Sequence, residues 1–251
     1  MAYLKQEEIA AVKGLMRKMY FSNDTVERFL ATATAGQVTA VSEMIAFELE
    51  QRDRRKKERL VRKARFPQIK SFEGYDFSQV AFPEGYTVED LKSLGFVDAT
   101  QDFVFHGQTG RGKTHLAIAI GMACAQQGKE VRFFTAAELV LALTKANRGN
   151  GLEAMLKDMA KAQVLIVDEL GYVPLDQEGA RLLFQVLGDC YEKRSLVITT
   201  NIEFSKWGVV FGDDKMAQAL IDRIMHHGRL VEFNGGSKRM EHALMLGRSM
   251  G

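Results

Sequence analysis

Gly107-Gln108-Thr109-Gly110-Arg111-Gly112-Lys113-Thr114 matches the Gly-x4-Gly-Lys-Ser/Thr spacing that cradles phosphate groups, without a mismatch. Its glycines let backbone amides turn inward around an anion without side-chain clash. Lys113 is placed to reach the outer phosphates of a nucleotide, and the Thr114 hydroxyl to ligate Mg2+. A second chemical signal lies further along. Val164-Leu165-Ile166-Val167-Asp168-Glu169 is an apolar run that ends in two acids. Asp168 is placed to hold Mg2+ through water, and Glu169 to polarise an attacking water as general base. A base beside the metal-holding acid favours hydrolysis over transfer to a small acceptor. Leu196-Val197-Ile198-Thr199-Thr200-Asn201 repeats the pattern of an apolar run with a polar end. Asn201 reads either as a bridge between the attacking water and the γ-phosphate or as a turn-forming residue. Arg223 and Arg239 are candidate donors to transition-state charge on phosphate, though spacing alone does not separate them from surface arginines.

These groups need a scaffold that aims them at one point. Asp102-Phe103-Val104-Phe105-His106 reads as a strand leading into the phosphate loop, and Leu116-Ala117-Ile118-Ala119-Ile120 as the start of an apolar helix leaving it. The helix begins where the loop ends, so its free N–H groups and positive dipole face the anion. Further strands are expected at 130–135, 163–168, 195–200 and 229–233, and helices at 113–127, 136–146, 151–161, 177–193 and 213–226. Continuous apolar strands interleaved with helices imply a parallel sheet covered on both faces. The expected organisation is an α-helical domain over 1–66, a linker and lead-in over 67–101, and the nucleotide domain over 102–251. The lead-in is rich in aromatics (Phe72, Tyr75, Phe77, Phe82, Phe96), which pack on the core or cover a base.

In the first 66 residues, apolar stripes at helical spacing (Val12 and Met16; Val26, Phe29 and Leu30; Val38, Val41 and Ile45) give three short helices. Asp24 and Glu27 have capping-box spacing at the start of the second helix, and Gly36 is expected to break it. The third helix runs on into a strongly basic stretch that Pro67 closes. The net charge of +2 hides an imbalance: residues 1–66 hold 14 Lys/Arg against 9 Asp/Glu, the remainder 20 against 23. Arg54, Arg55, Lys56 and Lys57 read either as a solvated helix face or as an arm that contacts nucleic-acid phosphates. Cys124 and Cys190 are expected buried and reduced, which fits a cytoplasmic protein. No apolar run approaches the roughly 20 residues that span a bilayer, so no membrane partner is expected. The five histidines show no metal-ligand spacing; His226 and His227 are neighbours on different helix faces and are expected at the surface.

Several segments carry more than superfamily information. They are Asp168-Glu169-Leu170-Gly171-Tyr172-Val173-Pro174-Leu175, Glu178-Gly179-Ala180, Leu183-Phe184-Gln185, Ser205-Lys206-Trp207-Gly208 and Val210-Phe211-Gly212-Asp213-Asp214. On these residues the chain resembles the AAA+ ATPases of the DnaC/IstB branch, and within it the IstB-like ATPase helpers of bacterial transposases. The resemblance implies an α/β AAA+ P-loop fold, a parallel sheet flanked by helices, with ATP and Mg2+ as cofactors. It makes Asn201 similar to sensor 1. Arg223 looks like an arginine finger acting on ATP held by the neighbouring subunit. Arg239 looks like sensor 2, in a Ser237-Lys238-Arg239 that departs from the family's Ser-Tyr-Arg. A finger acting in trans implies a homo-oligomer with ATP sites at subunit interfaces. The helices at 136–161 fall where initiator-type relatives carry an inserted helix that lines the DNA path. Lys145, Asn147 and Arg148 are then its contacts; an ordinary helix turn is the alternative. The function implied is ATP-dependent assembly on double-stranded DNA and delivery of target DNA to a cognate transposase. The alternative is a DnaC-type replicative helicase loader, against which the Val-Pro-Leu and Trp-Gly segments argue. A stand-alone kinase and a non-catalytic scaffold fit less well, given Glu169 and the complete phosphate loop.

Neutralising Arg54, Arg55, Lys56 and Lys57 together should lower the slope of log affinity for duplex DNA against log salt by about 3 to 4. Fluorescence anisotropy over a salt series measures it, and an unchanged slope makes this helix a solvated linker.

Overall fold

The computed structural model describes residues 6–237, and two compact units divide the chain at 1–59 and 60–251. In the first unit, α1 (Gln6–Lys18), α2 (Asn23–Thr32) and the first part of α3 (Ala35–Ala64) bury Val12, Met16, Val26, Val38 and Ile45 against one another. The apolar stripes therefore face inward as their spacing implied. Two local details differ from expectation. Ser22 caps α2, its Oγ accepting from Thr25 N at 3.3 Å. The break between α2 and α3 falls at Ala33, and Gly36 lies in the first turn of α3, where the missing Cβ costs little.

In the second unit, β1 (Val80–Ala81), α4 (Val88–Ser93) and α5 (Gly95–Asp98) precede β2 (Asp102–His106). Then come α6 (Lys113–Gln126), β3 (Val131–Thr135), α7 (Ala136–Arg148), α8 (Leu152–Met159) and β4 (Val164–Leu170). The chain continues through α9 (Gln177–Gly188), β5 (Ser195–Thr200), a 3-10 turn (Phe204–Lys206), α10 (Trp207–Phe211), α11 (Asp214–His227) and β6 (Gly228–Phe233). The strands form one sheet in the order β1-β6-β2-β5-β4-β3. All pairings are parallel except β1 with β6. The two-residue β1 was not legible as a strand; it exists because Asn234 and the end of β6 offer an edge, with Asn234 N donating to Gln79 O at 2.8 Å.

Strand residues alternate between two cores, one on each face of the sheet. Val104, Leu165, Val167, Leu196 and Ile198 face α7, α9, α10 and α11. Phe103, Phe105, Val164, Ile166 and Val197 face α6 and the 60–97 region. The helix α6 is apolar nearly all round, and its Leu116–Gly121 run is buried. Phe72, Tyr75, Phe77, Phe82 and Phe96 belong to this second core. The last turn of α3 is anchored within this unit by charge: Lys63 Nζ lies 2.7 Å from Glu130, and Arg132 lies 2.8 Å from both Glu130 and Asp158. The Arg132 guanidinium holds the Asp158 carboxyl down to about 2. Both cysteines are free and buried. Among the described residues, no helix is long and apolar enough to cross a membrane.

Asp102, 5% exposed at the start of β2, accepts from Leu196 N at 2.8 Å. Burial pushes its carboxyl from 3.8 up to about 7, against the pull of the Leu196 N–H and His227. Because the folded-state value is the higher one, stability present in acid is lost as pH rises through this window. Asp102→Asn keeps an acceptor oxygen for Leu196 and removes the buried charge. Its melting temperature relative to wild type should therefore climb from about pH 5 to about pH 8; a difference that stays flat with pH would show that Asp102 ionises without penalty.

Candidate functional site

The phosphate loop leaves the end of β2 and closes at Gly112, the residue before α6. Its shape is fixed from behind. Gly107 has φ 149°, and a Cβ there would stand 2.5 Å from Phe233 O, so only glycine fits between loop and β6. Arg111 Nη1 donates to the same Phe233 O at 2.9 Å, and Nη2 to Gln108 Oε1 at 3.0 Å. Tyr75 donates its hydroxyl to Gly112 O at 3.3 Å. Ser237 packs against Gly110. The first turn of α6 has no side-chain cap and no acidic residue, which leaves its amides and dipole to an anion. Lys113 Nζ donates to Gly107 O at 2.6 Å and Gln108 O at 2.9 Å, so the ammonium lies over the loop.

The two acids at the end of β4 separate sharply in environment. Asp168 is 3% exposed, whereas Glu169 is exposed. Asp168 accepts from Thr114 Oγ1 at 2.9 and 3.1 Å and from Thr199 Oγ1 at 2.5 Å. The register of β4 against β5 shifts between Val167 and Leu170, and Glu169 takes φ 59° within that irregularity. Thr199 Oγ1 accepts from Glu169 N at 2.9 Å, so one hydroxyl fixes both acids. A non-glycine residue in the left-handed region costs on the order of 1–3 kcal/mol and persists where its surroundings hold it, commonly at functional sites.

Lys113, Thr114, Glu169 and Asn201 line one cleft of about 360 Å3, with Thr109, Gly110, Gly112, Thr199 and Thr200. Its other wall is Pro67, Gln68 and Lys70, with His115 and Tyr172. None of the five lead-in aromatics lines it; they pack in the core, and the short segment after α3 forms that wall. His115 is fixed by Ser71 O at 3.2 Å and the Tyr75 ring at 5.0 Å, and burial lowers its pKa. Arg223 does not line this cleft. It is exposed on α11, 5.7 Å over the Phe184 ring, in a hollow with Gly188, Tyr191 and Glu192. Arg239 lies outside the described residues.

Of the residues singled out for DNA, Arg54, Arg55 and Lys56 are exposed and Lys57 half-buried. Arg54 lies 3.7 Å from Glu58 and Lys57 2.6 Å from Asp53, whereas Arg55 and Lys56 are in no ion pair among the described residues. On α7, Lys145 is exposed. Asn147 and Arg148 donate to the two oxygens of Glu178 at 2.9 and 2.8 Å. Thr199, Gln68 and Lys70 escaped the reading from sequence. The only signal for Thr199 was its place just before Asn201 at a strand end.

The parallel sheet, the loop after its strand β2 and the acids at the end of β4, one strand removed across β5, make this an AAA+ P-loop domain. A replication initiator DnaA bound to AMPPCP and single-stranded DNA has the same fold: TM-score 0.50 at 17% identity, over 67% of this chain and 54% of that one. The chain belongs to the IstB-like ATP binding protein family, whose profile matches residues 17–245. Among its relatives is an ATP-binding protein of insertion sequence IS21 from Pseudomonas aeruginosa, 36% identical over 89% of this chain and 86% of the relative. Another, from insertion sequence IS232 of Bacillus thuringiensis subsp. berliner, is 37% identical over 81% of this chain and 82% of the relative.

Thr199→Val removes the hydroxyl shared by Asp168 and Glu169 while keeping the side chain's shape. ATP turnover should fall about 10- to 100-fold with ATP affinity nearly unchanged, the size of effect seen when a supporting partner of a site is lost. Turnover equal to wild type would free Glu169 from any dependence on this bond.

Proposed function

We propose that this chain is an Mg2+-dependent ATPase that assembles on duplex DNA in its ATP-bound state and serves a transposase as its ATP-dependent helper. The observation that carries this reading is the convergence of Lys113, Thr114, Glu169 and Asn201 on one cleft, with Asp168 hydrogen-bonded to Thr114, in a chain whose relatives are insertion-sequence ATP-binding proteins.

The loop amides and the start of α6 bind the phosphates, and Lys113 exchanges its loop carbonyls for outer phosphate oxygens. Thr114 and Asp168 offer hydroxyl and carboxylate oxygens within 2.9 Å of each other, the hard donors that suit Mg2+. Thr114 would ligate the ion and Asp168 hold it through water; when bound, it offsets phosphate charge. Glu169, exposed to the cleft, accepts the proton of an attacking water that Asn201 orients toward the γ-phosphate. Arg223 lines a hollow separate from its own subunit's cleft and acts on the neighbour's ATP, so ATP becomes the joint between subunits. Arg239 acts in its own subunit.

The basic run of α3 contacts DNA phosphates, Arg55 and Lys56 directly, Arg54 and Lys57 by exchanging weak surface pairs. On α7, Lys145 is the freer contact, because Asn147 and Arg148 must first leave Glu178.

The test is binding to labelled duplex and single-stranded DNA of equal length with ATP, ADP or no nucleotide, with sedimentation of the same samples. ATP- and length-dependent assembly on duplex is expected. Preference for single strands without large assemblies would replace this reading with a helicase loader, and no DNA binding would leave only the ATPase. Arg223→Ala should lose about a thousandfold or more in turnover and regain part of it when mixed with Lys113→Ala. No recovery at any ratio would refute action in trans.

A further inference from the structure

The geometry points to a divalent transition-metal site, of the kind that takes Zn2+, built from Glu192, His226 and His227 beside Arg223. Sequence spacing concealed it, because two adjacent histidines on a helix do not share a face. The third donor comes from another element. The helix α9 stops at Gly188, short of the expected 193, and the chain turns through 189–194 with Glu192 at φ 56°, a conformation that L side chains rarely adopt. That turn brings Glu192 to the C-terminal end of α11.

One ligand atom from each of the three residues lies within 4.8 Å of the others. Glu192 Oε1 is 3.0 Å from His227 Nε2. The two imidazoles stand edge to face, with centroids 4.5 Å apart. Tyr191 Oη lies 3.0 Å from His226 Nδ1, so a neighbouring hydroxyl already orients that ring. Two imidazole nitrogens and one carboxylate oxygen are donors for Zn2+ and similar borderline ions, with one coordination position left to solvent. Mg2+ and Ca2+ prefer all-oxygen sets. The two thiols do not compete: Cys124 and Cys190 are 0% and 1% exposed.

Glu192 also lines a hollow with Asp189, Lys193 and Arg223. The two positive side chains there oppose a cation held by Glu192, which limits its affinity. The same arrangement gives the site a consequence. Arg223 precedes His226 and His227 by three and four residues, one turn earlier on α11 and flanked by the two. A metal bridge from Glu192 to this turn ties α11 to the α9–β5 connection and restricts the segment that carries Arg223. The inference stands apart from the nucleotide reading, since no residue of the cleft takes part.

The experiment is calorimetric titration of Zn2+ into the untagged, nucleotide-free full chain. One Zn2+ per chain is expected. Glu192→Gln and His227→Ala should each weaken binding by about tenfold or more. His106→Gln, whose imidazole pairs with Glu232 on the sheet, should leave it unchanged. Zn2+ should also raise the melting temperature of wild type and not that of Glu192→Gln, a surface change of one atom that spares the fold. No Zn2+ binding by wild type, or binding that survives both ligand substitutions, overturns the site.

Discussion

The Asp168 carboxylate ties together the start of one helix and the ends of two strands. Thr114 opens α6, Asp168 ends the regular part of β4, and Thr199 lies near the end of β5; two hydroxyls hold one buried acid between them. A carboxylate this deep is tolerated only when its lone pairs are occupied. Meeting that demand aligns the start of the helix with the ends of two strands, which is the geometry a nucleotide phosphate needs. The Thr199 hydroxyl then takes the Glu169 N–H, and this holds β4 in its irregular turn and leaves Glu169 facing the cleft. The strained backbone at Glu169 and the buried acid beside it stabilise each other through one side chain.

The parts of the site carried by contiguous residues were open to reading from sequence. Lys113, Thr114, Asp168 and Glu169 sit at strand and helix ends that hydrophobic runs mark clearly, and the interleaved pattern sufficed for the parallel sheet. What escaped depends on partners distant in sequence. A two-residue strand such as β1 has no period to detect, and is defined by the edge it joins. A threonine in a strand is ordinary, so Thr199 carries no mark of its link to Asp168. Pro67, Gln68 and Lys70 look like a helix end and a linker until the fold sets them opposite the phosphate loop. The lead-in aromatics follow the favoured of their two readings and pack in the core, where large apolar rings gain more. The Trp-Gly segment has a packing reason as well as a family one. Trp207 is fully buried between Phe204 and Phe211, and Gly208 lies against the Asp214 carboxylate, which would have to shift to admit a Cβ.

Charge in this chain is arranged to be exchangeable. Along α3, Arg52, Arg54 and Lys57 each meet an acid one turn away, in exposed pairs whose net worth is small. At the end of α7, Arg148 and Glu178 perturb each other in the directions an ion pair requires, the acid lowered and the arginine raised. Such pairs keep basic residues ordered at little cost and release them to a stronger anion. The buried Arg132, shared between Glu130 and Asp158, is of another kind: it fixes β3 to α8 and to the last turn of α3.

The loop's dependence on β6 also has a bearing on synthesis. Gly107 and Arg111 both rest on the carbonyl of Phe233, more than 120 residues downstream in the chain. A nascent polypeptide halted anywhere before that strand carries the whole phosphate-loop motif and lacks the backing that shapes it. Closing so long a loop comes late in folding. Until β6 lies beside β2, the phosphate loop lacks the carbonyl against which Gly107 and Arg111 are set.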